Sequence, residues 1–115
     1  MTRAGLDKLC RAWPGVTIDI KWGCDRVYSV AGKMFTVCLD QPKIEALGFK
    51  VPDELFLAIT GQPGVIPSPY AARHKWVRVT DPAHYGDAWL KRHVRQSYEL
   101  VAARLPKKTQ RALGL

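Results

Sequence analysis

The stretch Arg26-Val27-Tyr28-Ser29-Val30-Ala31-Gly32-Lys33-Met34-Phe35-Thr36-Val37-Cys38-Leu39 decides the fold class. Two runs rich in β-branched and aromatic residues flank Ala31-Gly32-Lys33, where glycine supplies the positive φ of a tight turn. The pattern predicts a hairpin of strands Arg26–Ala31 and Met34–Leu39, with Phe35, Val37 and Leu39 on the core face. Upstream, Thr17–Trp22 alternates as well, with Ile18, Ile20 and Trp22 on one side. Downstream, Ile44–Val51 aligns Leu47, Phe49 and Val51. Four such segments in succession predict an antiparallel meander.

Helical spacing brackets the strands. Leu6, Leu9, Cys10 and Trp13 recur at helical intervals behind Thr2, a capping residue, until Pro14-Gly15 breaks the pattern; this predicts a helix over about Thr2–Ala12. Pro52-Asp53-Glu54 places proline and carboxylates where a helix start favours them, and that helix should end near Gly61. Gln62–Arg73 holds Pro63, Gly64, Pro67 and Pro69 and reads as an irregular loop. Loops of that length in a small domain are often functional. His74–Val79 reads as a fifth strand with Val77 and Val79 inward. The longest helix, roughly Tyr85–Arg104, carries the stripe Leu90, Val94, Ser97, Tyr98, Val101 and Leu105, and a short helix after Pro106 stops at Gly114. Strands grouped together rather than alternating with helices indicate an α+β fold: two layers, a mainly antiparallel five-stranded sheet, helices on one face. The 115 residues, 47% of them apolar, make one domain spanning 1–115.

Read as an ordered set, Gly32-Lys33-Met34-Phe35, Pro67-Ser68-Pro69-Tyr70, His74-Lys75-Trp76-Val77-Arg78-Val79, Ser97-Tyr98-Glu99-Leu100-Val101 and Leu105-Pro106-Lys107-Lys108 resemble the MmcQ/YjbR family of small bacterial proteins. The resemblance runs over nearly the whole chain and is clearest from Gly32 onward. It implies a two-layer α+β fold similar to the secretion-chaperone or frataxin-like architecture. The family is commonly labelled DNA-binding and supplies no catalytic residues to carry over.

Candidate chemistry is sparse. Cys10, Cys24 and Cys38 contain no C-x-x-C pair and are expected to be reduced and buried. His84 and Asp87 could share one side of a helix start, but two ligands fall short of the three or four that zinc uses. Ser97 sits within an apolar stripe, where a small residue makes room for a neighbour, and no nucleophile elbow or phosphate loop occurs. The expectation is a protein without catalytic residues, metal or small-molecule cofactor. The longest apolar runs are too short to span a bilayer, and the N-terminus lacks an h-region, so a cytoplasmic location is expected.

Charge gives the functional lead. The net charge is +8. Residues 1–72 hold eight Lys/Arg against seven Asp/Glu, whereas residues 73–115 hold ten against three. A one-ended positive field attracts polyanions. Lys91, Arg92 and Arg95 lie on the polar side of the long helix, and Lys107, Lys108 and Arg111 extend that surface as candidate phosphate contacts. Arg73, Lys75 and Arg78 are secondary candidates. His74, Trp76 and Arg78 would share the outer face of their strand, with Trp76 able either to stack on a base or to lie buried beneath the proline-rich loop. The expected partner is therefore nucleic acid, DNA above all, bound weakly through charge. The alternative is a protein-interaction or chaperone-like module using the open sheet face or the Pro67–Arg73 loop.

Overall fold

The computed structural model describes all 115 residues. Its strands are β1 (Val16–Lys21), β2 (Asp25–Val30), β3 (Lys33–Leu39), β4 (Leu47–Lys50), β5 (Val65–Pro67) and β6 (Trp76–Val79). Its helices are α1 (Arg3–Arg11), α2 (Phe56–Thr60), α3 (Pro82–Tyr85), α4 (Asp87–Ala102) and α5 (Lys107–Ala112). The sheet order is β1-β2-β3-β4-β6-β5, and every neighbouring pair is antiparallel. The α+β class and the meander of the first four strands stand as the sequence predicts. The strand count does not: the sheet has six strands, not five.

The additional strand is β5, inside the segment read as a loop. Three residues long, it pairs only with β6, on the outer edge, where Pro67 can lack a backbone donor without breaking an interior ladder. The predicted strand His74–Val79 is also shorter. His74 belongs to a 3-10 turn, Ala72–His74, and Lys75 takes a left-handed φ of 64° before β6 begins at Trp76. His74 therefore does not share a strand face with Trp76 and Arg78. The predicted long helix, Tyr85–Arg104, is α4, Asp87–Ala102; Gly86 (φ 82°) separates it from α3, to which Tyr85 belongs.

Thr2 caps α1 as expected, its hydroxyl accepting from the Gly5 amide at 3.0 Å. Ala31 and Gly32, both at positive φ, form the two-residue turn between β2 and β3. The register then shifts: Tyr28 faces Thr36, but Ser29 faces Met34, leaving Phe35 as an extra residue. This bulge overturns the predicted shared face of Phe35, Val37 and Leu39, because one inserted residue reverses the alternation. Phe35, Thr36 and Cys38 are buried, whereas Val37 is half-buried and Leu39 exposed. Cys10 is buried as expected, but Cys24, in the turn after β1, is exposed.

The main core lies between the sheet and the helices, where Leu6, Phe35, Phe49, Val77, Leu90, Val94 and Tyr98 belong to one buried cluster. Val101, predicted inside the stripe, is only half-buried at its margin. Two polar devices fix the layers. Asp7 on α1 accepts from Arg26 Nε (3.0 Å) and Nη2 (2.5 Å) and from the Tyr28 hydroxyl (2.6 Å) on β2. Burial pushes the Asp7 carboxyl up, but the bonds from Arg26 and Tyr28 together outweigh it and hold the group below its ordinary 3.8.

The second device is Ser97, fully buried on α4. The β3–β4 ladder holds Thr36↔Phe49 and Val37↔Gly48 but does not continue to Phe35 and Lys50. There the Ser97 hydroxyl stands in, donating to the Phe35 carbonyl (2.6 Å) and accepting from the Lys50 amide (2.9 Å). Ser97→Ala strands both backbone groups and should cost about 1–3 kcal/mol, seen as a lower denaturation midpoint. The Lys50 amide should also exchange with solvent faster than in the parent protein; unchanged exchange and midpoint would refute the bridge.

Candidate functional site

The sheet separates the predicted contact residues into two groups. On the helical side, Lys91 and Arg92 are exposed on α4, and Lys107, Lys108 and Arg111 are exposed on α5. The 16-residue α4 strings its charges along about 24 Å. Gln110 ties α5 to the end of α4 by donating to the carbonyls of Leu105 (2.7 Å) and Ala103 (3.2 Å). Arg95 is differently employed. Its guanidinium lies 5.0 Å from the Trp13 ring centre and 4.9 Å from that of Tyr98, and Nε stands 3.8 Å from Glu99. It clamps α4 to the end of α1 and is less free for a ligand than Lys91 or Arg92.

Charge persists here because ten Lys/Arg stand against three Asp/Glu after position 72, and two of those three are engaged. In the first half of the chain Arg3 and Arg26 meet Asp40 and Asp7. Of the three acidic residues after position 72, Asp87 meets the Met1 ammonium (3.0 Å) and Glu99 meets Arg95. Lys91, Arg92, Lys107, Lys108 and Arg111 have no carboxylate within 4.0 Å.

The remaining candidates lie elsewhere. Arg73 is exposed on the 3-10 turn, and Lys75 holds its ammonium 5.2 Å from the Phe56 ring centre. Trp76 and Arg78 point to the sheet face opposite the helices, where Trp76 is 7% exposed. The proline-rich segment folds against it: the Ser68 amide donates to the Trp76 carbonyl (3.0 Å), and the Trp76 amide to that of Ala71 (3.3 Å).

That face carries a groove of about 680 Å³. Trp76, Val37 and Gly48 line it, with Trp22, Met34, Leu39 and Tyr70 contributing exposed apolar surface. Asp25 and Arg78 are its charged residues. Cross-strand pairing sets Val37, Gly48, Arg78 and Ile66 in one row, and Gly48 recesses its centre because it has no side chain. Sequence reading named the Pro67–Arg73 loop, which holds Tyr70, as an interaction surface but singled out neither Tyr70 nor Trp22. Alternation placed Trp22 on one side of the strand with Ile18 and Ile20, but a left-handed φ of 52° takes it out of β1, and the residue lines the groove. Tyr70 lay in a segment with no periodicity to read.

A third feature is the aromatic column of Tyr85, Trp89 and His93, one helical turn apart. Tyr85 and Trp89 stack at 4.1 Å, and His93 stacks on Phe49 of β4 at 5.3 Å. The Tyr85 hydroxyl donates to the Pro63 carbonyl. His93 Nδ1 is buried without a hydrogen-bond partner. No three His, Cys, Asp or Glu side chains gather as a metal site, and no helix is long and apolar enough to cross a membrane.

The model of the YjbR family matches residues 11–100. The chain belongs to the YjbR family. The matched span contains every groove residue named above, together with Lys91, Arg92 and Arg95, but leaves Lys107, Lys108 and Arg111 outside it. The crystal structure of the Deinococcus radiodurans protein DR2400, a DUF419 domain, has a similar fold, with a TM-score of 0.84 and 22% identity over 99% of this chain and 88% of that one. No curated protein matches the chain.

Within this YjbR domain, the buried His93 is expected to make stability depend on pH. Burial, and then the charge of Arg92, hold its imidazole below the ordinary 6.5. The unfolded chain therefore takes up the proton first. Stability is full above about pH 6.5 and falls as pH drops from there toward the lowered folded-state value. Denaturation midpoints measured from pH 7.5 down to the carboxylate range should show this decline, and His93→Phe should remove it. An equal decline in that variant would exclude His93 as the source.

Proposed function

We propose that this YjbR-family protein is a nucleic-acid-binding module that takes the phosphate backbone on its helical surface, through charge and with little sequence preference. The observation that carries the reading is the excess of ten Lys/Arg over three Asp/Glu in residues 73–115, of which Lys91, Arg92, Lys107, Lys108 and Arg111 are exposed on α4 and α5 with no carboxylate within 4.0 Å. Where carboxylates neutralise Arg3, Arg26 and Arg95, the field is confined; where they are absent, it reaches solvent over roughly a Debye length, about 8 Å at physiological salt. Lysine and arginine contacts to phosphate position a duplex without reading its bases. Arg73, Lys75 and Arg78 sit apart from this surface and are secondary contacts at most.

Titration of a labelled duplex at several salt concentrations tests the reading. Affinity should fall with added salt, with a log–log slope of about 0.9 per phosphate neutralised. Changing Lys91, Arg92 and Lys108 together to alanine should flatten that slope by up to about 2.7. Arg95 is left in place because it also clamps Trp13 and Tyr98. Affinity indifferent to both salt and the triple change would overturn the reading, and the protein-interaction alternative would take its place.

A further inference from the structure

The groove on the opposite sheet face combines features that the fold itself does not require. Trp22 is 68% exposed and Tyr70 96% exposed, although burial of either ring would be favourable. The left-handed φ of Trp22 belongs to the turn between β1 and β2, so it is the exposure of the indole, not its backbone, that the fold leaves unexplained. Trp76 lines the same groove but is only 7% exposed, so Trp22 and Tyr70 are the rings that offer open faces. Arg78, exposed on β6 between Gly48 and Ile66, has neither a carboxylate within 4.0 Å nor a side-chain hydrogen bond. Asp25 stands at the other end, two strands beyond β4.

We infer that this groove is a stacking site for an unpaired nucleotide, a planar heteroaromatic ring carrying an anionic group. Its volume falls within the range of small-ligand sites, about 300–1,000 Å³. Aromatic faces accept any base by stacking, and arginine supplies the phosphate contact. Asp25 can accept a hydrogen bond from a base N–H, the N3–H of thymine included, as carboxylates do from cytosine N4. A wholly apolar occupant would desolvate Arg78 and Asp25 without replacing their hydrogen bonds. A simple anion would leave the aromatic rings uncovered and meet Asp25 as a like charge. A duplex hides the faces of its bases, so the site favours a single strand or a free nucleotide. The inference does not rest on the helical surface.

The test uses the full chain and two probes: thymidine 5′-monophosphate by equilibrium dialysis, and a dye-labelled oligothymidylate by fluorescence anisotropy. Saturable binding of both supports a site that takes free nucleotides. Binding of the oligothymidylate alone supports one that takes the nucleotide within a strand. In either case Trp22→Ala or Tyr70→Ala should weaken binding by about 5-fold or more for each stack removed, and Trp22→Phe should restore most of the loss. Arg78→Gln should flatten the salt dependence of oligothymidylate binding by about 0.7, one single-strand phosphate contact. These three side chains are exposed, so the variants keep the core intact. Failure to bind either probe, or binding unaffected by Trp22→Ala, Tyr70→Ala and Arg78→Gln alike, overturns the inference. Duplex retention measured in parallel reads the helical surface and distinguishes failure of that reading from failure of this one.

Discussion

The hydroxyl of Ser97 occupies the place where sheet and helix would otherwise come apart. Phe35 is an extra residue in β3, and an extra residue leaves backbone groups without a ladder partner. The Phe35 carbonyl is buried and the Lys50 amide part-buried beneath α4, and one side-chain oxygen bonds both. Because the bridge joins β3, β4 and α4, it fixes the height and rotation of the helix. Tyr98, the next residue, then reaches the Pro14 carbonyl with its hydroxyl (2.7 Å) and packs edge-on against Phe35 at 5.4 Å. Arg95, one turn earlier, stacks over Trp13 from the outside. The bulge, the bridge and the aromatic cluster are one arrangement, and the position of the α4 charges follows from it.

The same bulge gives the sheet its second face. Beyond Phe35 the alternation is reversed, so Thr36 and Cys38 go to the core and Val37 and Leu39 to the groove. Burial drives the Cys38 thiol up to about 11 and the Cys10 thiol up to about 12, so both stay protonated and behave as small apolar side chains. Val27 and Trp76 are buried but stand outside the main cluster, because they lie on the groove side. Apolar surface on two sides of one sheet is what an antiparallel design with helices on a single face ordinarily avoids.

The class of fold was legible because its signals are local. Ala31-Gly32 can turn only one way between two β-branched runs, Thr2 caps the helix it precedes, and Leu47, Phe49 and Val51 keep strict alternation. What was not legible depends on partners distant in sequence. Nothing around Phe35 announces a bulge; it is stabilised by Ser97, 62 positions away. Nor does Val65-Ile66-Pro67 declare itself a strand, since three residues flanked by prolines acquire order only from pairing with β6. The charged candidates were readable as residue types, but their division between two faces was not. Arg95 reads like Lys91 and Arg92 until Trp13 and Tyr98 come under it.

That division bears on how one small domain could meet a polyanion. On the function proposed above, the basic helix surface would meet charge density, which duplex and single strand both offer, without use of the bases. A recessed aromatic groove recognises ring faces, which only unpaired bases offer. Joining them on one side would force a ligand to satisfy both at once. The six-stranded sheet keeps them apart, with α4 on one surface and Gly48 at the floor of the other. Both sides can also vary at little cost to the fold. Lys91 or Arg92 can be exchanged on an exposed helix face for a few tenths of a kcal/mol, about 0.2–0.5. Trp22 stands in the turn between β1 and β2, and its indole, 68% exposed, contributes little to the fold there.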